Sequence, residues 1–179
     1  MIKVESLKSY IDILSNDDFM NLSKRIYSFS NSISEDYPDY KEWFFDKQIP
    51  RLYTSEGDIL FVKLEGNVNK IIAMTCLKRT SEECKICTIY VSEEYRNQHI
   101  GTILIENSMI FLGTNKPFIT FADYKLPLFK SIIDKFDWEL VEIVPNAYNN
   151  ETSELCFNGK LIKNNDFEKQ TFKCIRTKK

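Results

Sequence analysis

The chain has 179 residues, of which 43% are hydrophobic and 28% charged, a balance typical of a globular domain with a buried core. Its formal net charge of −2 disfavours a body that binds nucleic acid nonspecifically. No apolar run is long enough to span a bilayer, and the N-terminus lacks the apolar core and cleavage site of a signal peptide. We therefore expect a cytoplasmic protein without membrane contact.

The N-terminal third is predicted to form two helices after a short ambiguous segment. For the first residues, up to Leu14, a short strand and a helix remain alternatives. The polar stretch from Ser15 to Asp18 favours a helix start, and apolar residues then recur every three or four positions through Ile33. A second helix is predicted to begin near Pro38 and to end at Pro50. We expect its aromatic residues in the core: Tyr40, Trp43 and Phe44.

The rest of the chain alternates between predicted strands and helices. Strand-like runs at 57–64 and 68–77 flank a hairpin at Gly66, and a central strand at 84–91 leads into a helix that ends at Gly113. The later elements are a strand at 118–121, a helix at 126–136, a strand at 138–144, and a last strand or hairpin at 154–162 with Asn158-Gly159 as its turn. This order predicts an α/β fold with a mixed, mostly antiparallel central sheet and helices on both faces. The strands before and after the helix that ends at Gly113 are expected to pair in parallel.

Five cysteines are present, and two of them form the pattern Cys84-x-x-Cys87. On a strand these side chains point to opposite faces, and their Cα atoms lie roughly 10 Å apart at about 3.3 Å per residue, too far for a disulfide. The chain has a single histidine, and no second cysteine or histidine pair completes a zinc site. We therefore interpret the cysteines as reduced thiols and expect no metal centre.

The stretch from Cys84 to Leu112 is the candidate functional site. A strand that leads through a short loop into a helix can aim unpaired backbone N–H groups at a phosphate. Ordinary strand-to-helix connections have the same pattern, so spacing alone leaves both interpretations open.

This stretch resembles the acetyl-CoA-binding segment of the GNAT acetyltransferase superfamily. The strand ends in Ile89-Tyr90-Val91, and Arg96 and Gly101 match the first and last positions of the family pattern Arg/Gln-x-x-Gly-x-Gly/Ala. The order of elements from 57 to 144 also matches that fold. The resemblance implies a GNAT-like acyl-CoA N-acyltransferase fold with acetyl-CoA as its cofactor.

The resemblance also implies which groups hold the cofactor. The backbone of Ile89, Tyr90 and Val91 would pair with the pantetheine arm, and a main-chain N–H near Val91 would polarise the acyl carbonyl. The central strand and strand 118–121 would splay apart around the thioester. The pyrophosphate would lie at the helix start, where the implied binding residues are Arg96, Asn97, Gln98, His99, Ile100, Gly101 and Thr102.

The sequence departs from the family pattern in the loop and in the catalytic groups. Asn97 and His99 stand where glycine is frequent, and both residue types tolerate positive φ. The position of the family's tyrosine acid holds Ile133, and the family's glutamate on the central strand has no match. Glu83 as base and Tyr124 as acid are the remaining candidates, but the sequence favours a solvated strand end and a loop aromatic at these positions.

Three acids precede the aromatic helix that would border the acceptor site. Glu35, Asp36 and Asp39 could attract a cationic amine, but acids also favour a helix N-terminus without any ligand. The sequence favours the second interpretation and does not name the acceptor.

We predict a single GNAT-like domain over residues 1–163 and a basic C-terminal tail over 164–179. The predicted function is transfer of acetyl from acetyl-CoA to a primary amine, on a small molecule or a peptide, by direct attack in a ternary complex. One alternative is a non-catalytic acyl-CoA-binding module that acts through a protein partner. Another is a transferase acting on charged tRNA, which the basic tail favours and the acidic body does not. Homodimerisation stays open.

Overall fold

The computed structural model describes residues 2–64 and 66–161, so the predicted basic tail and Cys174 lie outside the described residues. Its centre is a seven-stranded sheet with the strand order β1-β2-β3-β4-β5-β7-β6. The strands are β1 (Val4–Ser6), β2 (Gly57–Leu64), β3 (Asn67–Arg79), β4 (Cys84–Val91), β5 (Phe118–Ala122), β6 (Leu140–Pro145) and β7 (Ser153–Phe157). Only β4 and β5 pair in parallel among these strands, and the predicted mixed, mostly antiparallel sheet is confirmed.

Helix α1 (Asn16–Phe29) begins where the sequence predicts but ends before Ile33. The Ser15 hydroxyl accepts a hydrogen bond from the N–H of Asp18 at 3.2 Å and so caps the first turn. At the other end, the hydroxyl of Ser30 donates to the carbonyl of Ile26 at 3.1 Å, and the chain tightens into a 3-10 turn over Asn31–Glu35. The apolar spacing continues past the true end of the helix.

The second predicted helix does not end at Pro50, and that prediction is wrong. This segment, α2, consists of an α-helical turn (Tyr40–Trp43), a π-helical turn (Phe44–Gln48) and a last α-helical turn (Ile49–Arg51). In the π-helical turn the N–H of Ile49 bonds to the carbonyl of Phe44, five residues back. The wider turn accommodates the ring of Pro50, which has no N–H to donate.

Helices cover both faces of the sheet, as predicted, and each face has its own core. Helices α3 (Ile100–Leu112) and α4 (Leu126–Phe136) pack on one face, with Leu60, Val62, Leu77 and Ile86 from the strands. The opposite face is covered by α1 and α2, with Ile59, Phe61, Met74 and Cys76 from the strands. The side chains of neighbouring strand residues therefore alternate between two buried layers.

The last strand lies between β5 and β6 and runs antiparallel to both. It ends at Phe157, because Asn158 turns away with a positive φ of 60° and pairs with Glu139 through its backbone N–H and its side chain. The residues from Asn158 to Leu161 form no further strand, so the predicted hairpin at Asn158-Gly159 is wrong for the described part of the chain. Ile162, the last residue of the predicted hairpin, lies outside the described residues.

Strands β4 and β5 pair over only two positions, Lys85 with Phe118 and Ile86 with Ile119. The register between β3 and β4 then shifts, which leaves Cys87 as an extra residue. A β-bulge of this kind bends a strand. Beyond it, β4 has no described strand partner on the β5 side, and a gap opens in the middle of the sheet.

Candidate active site

A continuous cleft of about 1780 Å³ passes through the gap between β4 and β5. Its walls come from the segment between α1 and α2, from β4 and the loop after it, from β5, and from the start of α4. Ile119 and Ile132 line it from the face that α3 and α4 cover, whereas Thr120 and Tyr90 line it from the α1 and α2 face. The cleft therefore reaches both faces of the sheet.

The loop between β4 and α3 is held by Arg96 and by two left-handed residues. The Nε of Arg96 donates to the carbonyl of Val91 at 3.2 Å, and its guanidinium pairs with Glu93 at 3.2 Å. Asn97 and His99 have φ values of 61° and 62°. Asparagine and histidine are among the non-glycine residues that tolerate a left-handed backbone, so these φ values agree with the prediction from residue type.

The first turn of α3 presents backbone N–H groups to the cleft. His99 is the residue before the helix, and no described side chain caps it. The N–H of Ile103 bonds to the His99 carbonyl at 3.0 Å, so the N–H groups of Ile100, Gly101 and Thr102 precede the intrahelical pattern. A Cβ at Gly101 would meet only Val91 Cγ2, at 3.8 Å. This open, uncapped turn fits a phosphate-bearing ligand.

At the end of β4, the backbone rather than the side chains is available to a ligand in the cleft. Ile89 and Val91 pack against the α3 core, and Ile100 is 3% exposed. Tyr90 points to the other face, where its ring centroid lies 5.2 Å from that of Phe29. An extended ligand could pair with this open strand edge, as a further strand would.

The two candidate catalytic residues line the cleft, and each is bonded to a neighbour. Glu83 Oε1 lies 3.0 Å from Lys78 Nζ. The hydroxyl of Tyr124 donates to both carboxylate oxygens of Asp36, at 2.8 and 2.7 Å, and Lys125 pairs with the same carboxylate. Burial and the bond to Asp36 raise the pKa of Tyr124 to about 12, so it stays protonated at neutral pH.

A buried carboxyl that was not predicted from the sequence, that of Glu154 on β7, lies beside the cleft. Its side chain accepts a hydrogen bond from the Tyr37 hydroxyl at 2.9 Å and another from the side chain of Thr120, and the residue is 3% exposed. Burial raises the pKa of Glu154, while the two hydrogen bonds and the charges of Lys85 and Lys125 oppose that rise. The available signal was an acid at the start of an otherwise apolar strand.

The segment that carries Asp36 and Tyr37 is tied to two other parts of the cleft wall. Asp36 bonds to Tyr124 and Lys125, and its carbonyl accepts from Asn149 Nδ2 at 3.2 Å. The ring of Tyr37 meets that of Tyr148 edge-on, with centroids 5.0 Å apart. Of the three acids considered for amine binding, Asp36 is thus already paired with Lys125. Glu35 and Asp39 are exposed to solvent.

The acetyltransferase (GNAT) family model matches residues 16–113, more than half of the chain. The chain belongs to the GNAT acetyltransferase family. No curated protein matches this GNAT chain by sequence.

Solved structures share the fold of this GNAT protein at low identity. The structure of Arabidopsis thaliana NAA60 in complex with acetyl-CoA has a TM-score of 0.61 and 12% identity, covering 88% of this chain and 97% of that chain. A GNAT-family acetyltransferase from Bacillus cereus has a TM-score of 0.60 and 15% identity, with coverages of 91% and 99%. Nourseothricin acetyltransferase has a TM-score of 0.51 and 11% identity, and the match covers 57% of this chain and 64% of that chain, just under two thirds of its length.

The predicted family and fold of this GNAT protein are therefore confirmed. Membership of an acetyltransferase family supports acetyl transfer in general, and the acetyl-CoA bound in one of the similar structures agrees with the predicted cofactor. Within residues 2–64 and 66–161, no helix has the length and apolar character needed to cross a membrane.

Proposed function

We propose that the protein is an acetyl-CoA-dependent N-acetyltransferase that acts on a primary amine. The observation that carries the proposal is the convergence, in one cleft, of the open β4 edge and the uncapped first turn of α3. Membership of the GNAT family supports it, as does the acetyl-CoA complex of a structure with the same fold. When bound, acetyl-CoA would supply an acetyl group activated as a thioester.

The loop residues would hold the pyrophosphate of acetyl-CoA. Backbone N–H groups between Gln98 and Thr102 would donate to its oxygens, and the partial positive charge of the helix N-terminus would favour that anion. Arg96 fixes the loop through its bonds to Val91 and Glu93, which keeps those N–H groups in position.

The open strand edge would hold the remainder of the cofactor. The backbone of Ile89 to Val91 would pair with the amides of the pantetheine arm as a neighbouring strand would. A main-chain N–H near Val91 would then stabilise negative charge on the acyl oxygen.

The transfer would proceed by direct attack of the amine, because the described residues of the cleft include no activated thiol for a covalent relay. Cys87 is the cysteine that lines the cleft along β4, and burial raises the pKa of its thiol above the ordinary value. A thiol with a raised pKa holds less of the nucleophilic thiolate. All four cysteines of the described residues are free thiols, as predicted.

A thermal-shift measurement tests the cofactor assignment. At a free acetyl-CoA concentration about 100 times its Kd, binding stabilises the native state by roughly 2.7 kcal/mol. For a chain of this size, that corresponds to a rise in Tm of about 5–10 °C. Unchanged melting with both acetyl-CoA and CoA would contradict the proposal.

Glu83 and Tyr124 remain proposed sites of proton transfer, with a modest expected contribution. Glu83 must leave Lys78 to accept a proton, and Tyr124 must leave Asp36 to donate one. We expect Glu83→Gln and Tyr124→Phe each to lower kcat by less than about 10-fold, below the 10²–10⁴-fold effect of a principal acid or base. The measurement is thiol release from acetyl-CoA, and a loss of about 100-fold or more in either variant would identify that residue as the principal group.

The same assay distinguishes an enzyme from a non-catalytic acyl-CoA-binding module. The module is favoured by the bonds that Glu83 and Tyr124 make to other side chains. A panel of spermidine, glycinamide and a tripeptide with a free amino terminus covers polyamine, small-molecule and peptide acceptors. Thiol release that depends on one of these amines supports the enzyme. If acetyl-CoA binds and none of these amines causes thiol release, the result supports the module. The tRNA alternative rests on the basic tail, which lies outside the described residues.

A further inference from the structure

We propose that Tyr37 and Glu154 form the proton exit for the acceptor amine, with Tyr37 in contact with the amine and Glu154 as the proton acceptor behind it. This inference rests on the proposed function and adds the residues that would deprotonate the acceptor. It replaces Glu83 as the principal base.

The geometry places a hydroxyl between the cleft and a buried carboxyl. Tyr37 lines the cleft, and its hydroxyl donates to Glu154 Oε1 at 2.9 Å. Glu154 is 3% exposed, so this carboxyl has little contact with bulk water of its own. Thr120 also lines the cleft and bonds to Glu154 through its side chain. A proton can therefore pass from the cleft to Glu154 through the hydroxyl of Tyr37.

The pair lies on the face of the sheet where an amine would enter. Glu154 is opposite Ala122 and Cys156 is opposite Thr120, so alternation puts these side chains on one face of β5 and β7. Tyr37 approaches that face from the connection between α1 and α2. The loop proposed to bind pyrophosphate precedes α3, which covers the other face. An amine and acetyl-CoA would thus reach the gap from opposite sides.

Deprotonation of the acceptor would move one proton from the amine to Glu154. An alkylammonium group must lose one proton before its nitrogen has a lone pair. Tyr37 Oη accepts that proton as its own proton passes to Glu154 Oε1, which leaves a neutral tyrosine and a neutral carboxylic acid. The amine nitrogen then forms its bond to the acetyl carbon while the carbon–sulfur bond breaks, and the remaining proton is taken up by the departing thiolate. Glu154 returns its proton to water by the reverse path.

The charges around the pair suit a reversible proton acceptor. Burial and the neighbouring carboxylate raise the pKa of Tyr37, so Tyr37 stays a hydroxyl throughout the working pH range. Burial also raises the pKa of Glu154 above its ordinary value, which makes its carboxylate a stronger proton acceptor. Among the described residues, the titratable and charged groups that interact with the pair include Asp36, Lys85, Lys125, Tyr148 and Cys156.

Kinetics of Glu154→Gln and Tyr37→Phe test the relay. Both changes preserve shape, and we expect each to lower kcat by about 100-fold while the KM for acetyl-CoA stays unchanged. In Glu154→Gln the rise of kcat with pH should follow only the ionisation of the acceptor amine. Measuring the pH profile with spermidine and with glycinamide as acceptors checks this. Glu139→Gln is the matched control, because this exposed glutamate pairs with Lys116 away from the cleft. If the wild-type protein turns over and Glu154→Gln has the same kcat, the relay is overturned and the proposed function stands.

A titration that needs no turnover provides the second readout. Nuclear magnetic resonance of isotope-labelled glutamate side chains should show one carboxyl, absent in Glu154→Gln, that titrates above the others. Tyr37→Phe should raise its midpoint further, because the carboxylate loses a hydrogen-bond donor. A midpoint that does not respond to Tyr37→Phe would overturn the coupling. No acetyl-CoA binding in the wild-type protein would instead overturn the proposed function, and the relay with it.

Discussion

Gly101→Leu is expected to lower the affinity for acetyl-CoA by about 100-fold or more, a loss of roughly 2.7 kcal/mol, without unfolding the protein. A Cβ at this position would meet only Val91 Cγ2, at 3.8 Å, which is ordinary van der Waals contact. The backbone of Gly101 is helical and needs no positive φ. The added side chain would therefore fit the protein and cover the N–H groups that face the cleft.

Calorimetric titration with acetyl-CoA measures this effect, and circular dichroism checks the fold. Gly101→Ala adds only the Cβ and should give an intermediate loss of about 10-fold, near 1.4 kcal/mol. Ile110→Ala is the control on the same helix, since Ile110 is 78% exposed at its other end. If Gly101→Leu bound acetyl-CoA like the wild type, the first turn of α3 would not be the phosphate site, and the proposed function would lose the observation that carries it.

The elements that sequence predicts well are those whose pattern is local. The capping signal at Ser15 and the apolar spacing after it placed the start of α1, and strand-like runs around a turn signal placed β2, β3 and β4. The errors at helix ends have local causes that spacing does not record. The hydroxyl of Ser30 bonds back to Ile26, and the π-helical turn accommodates Pro50.

The candidate cofactor loop could be located from sequence because its shape depends on neighbouring residues. Asn97 and His99 adopt positive φ, for which their residue types are suited, and Gly101 lies in the first helical turn. The motif predicts which residues form the loop, but not which groups their side chains bond to. It did not indicate that Arg96 bonds back to the carbonyl of Val91.

The acceptor side of the site could not be predicted, because it is assembled by pairing between distant parts of the chain. Tyr37 and Glu154 are 117 residues apart in sequence. They meet because β7 lies between β5 and β6, an order that no local pattern encodes. Burial of Glu154 follows from the same insertion, and so does the shift in the pKa of its carboxyl.

Phe44→Ala is expected to lower the free energy of unfolding by about 3–5 kcal/mol, the usual cost of removing a buried phenylalanine ring. Phe44 is fully buried on the π-helical turn of α2. Its ring centroid lies 5.6 Å from that of Tyr27, 5.9 Å from that of Tyr40 and 5.1 Å from that of Phe45. The loss is a large share of the roughly 5–15 kcal/mol that stabilises a typical domain. Urea denaturation measures it, and Tyr53→Ala, at a 60% exposed aromatic, is the control.

The same variant tests whether the two faces of the sheet serve the two substrates separately. Phe44 belongs to the core under α1 and α2, whereas the loop before α3 rests on the opposite core. In the folded fraction of Phe44→Ala, we therefore expect the Kd for acetyl-CoA to stay within about 3-fold of the wild-type value, a difference below roughly 0.7 kcal/mol. The KM for the amine should rise, because Tyr37 follows α1 and precedes α2 and depends on their packing. Loss of acetyl-CoA affinity as large as that in Gly101→Leu would show that the two cores are coupled and would contradict this division of the site.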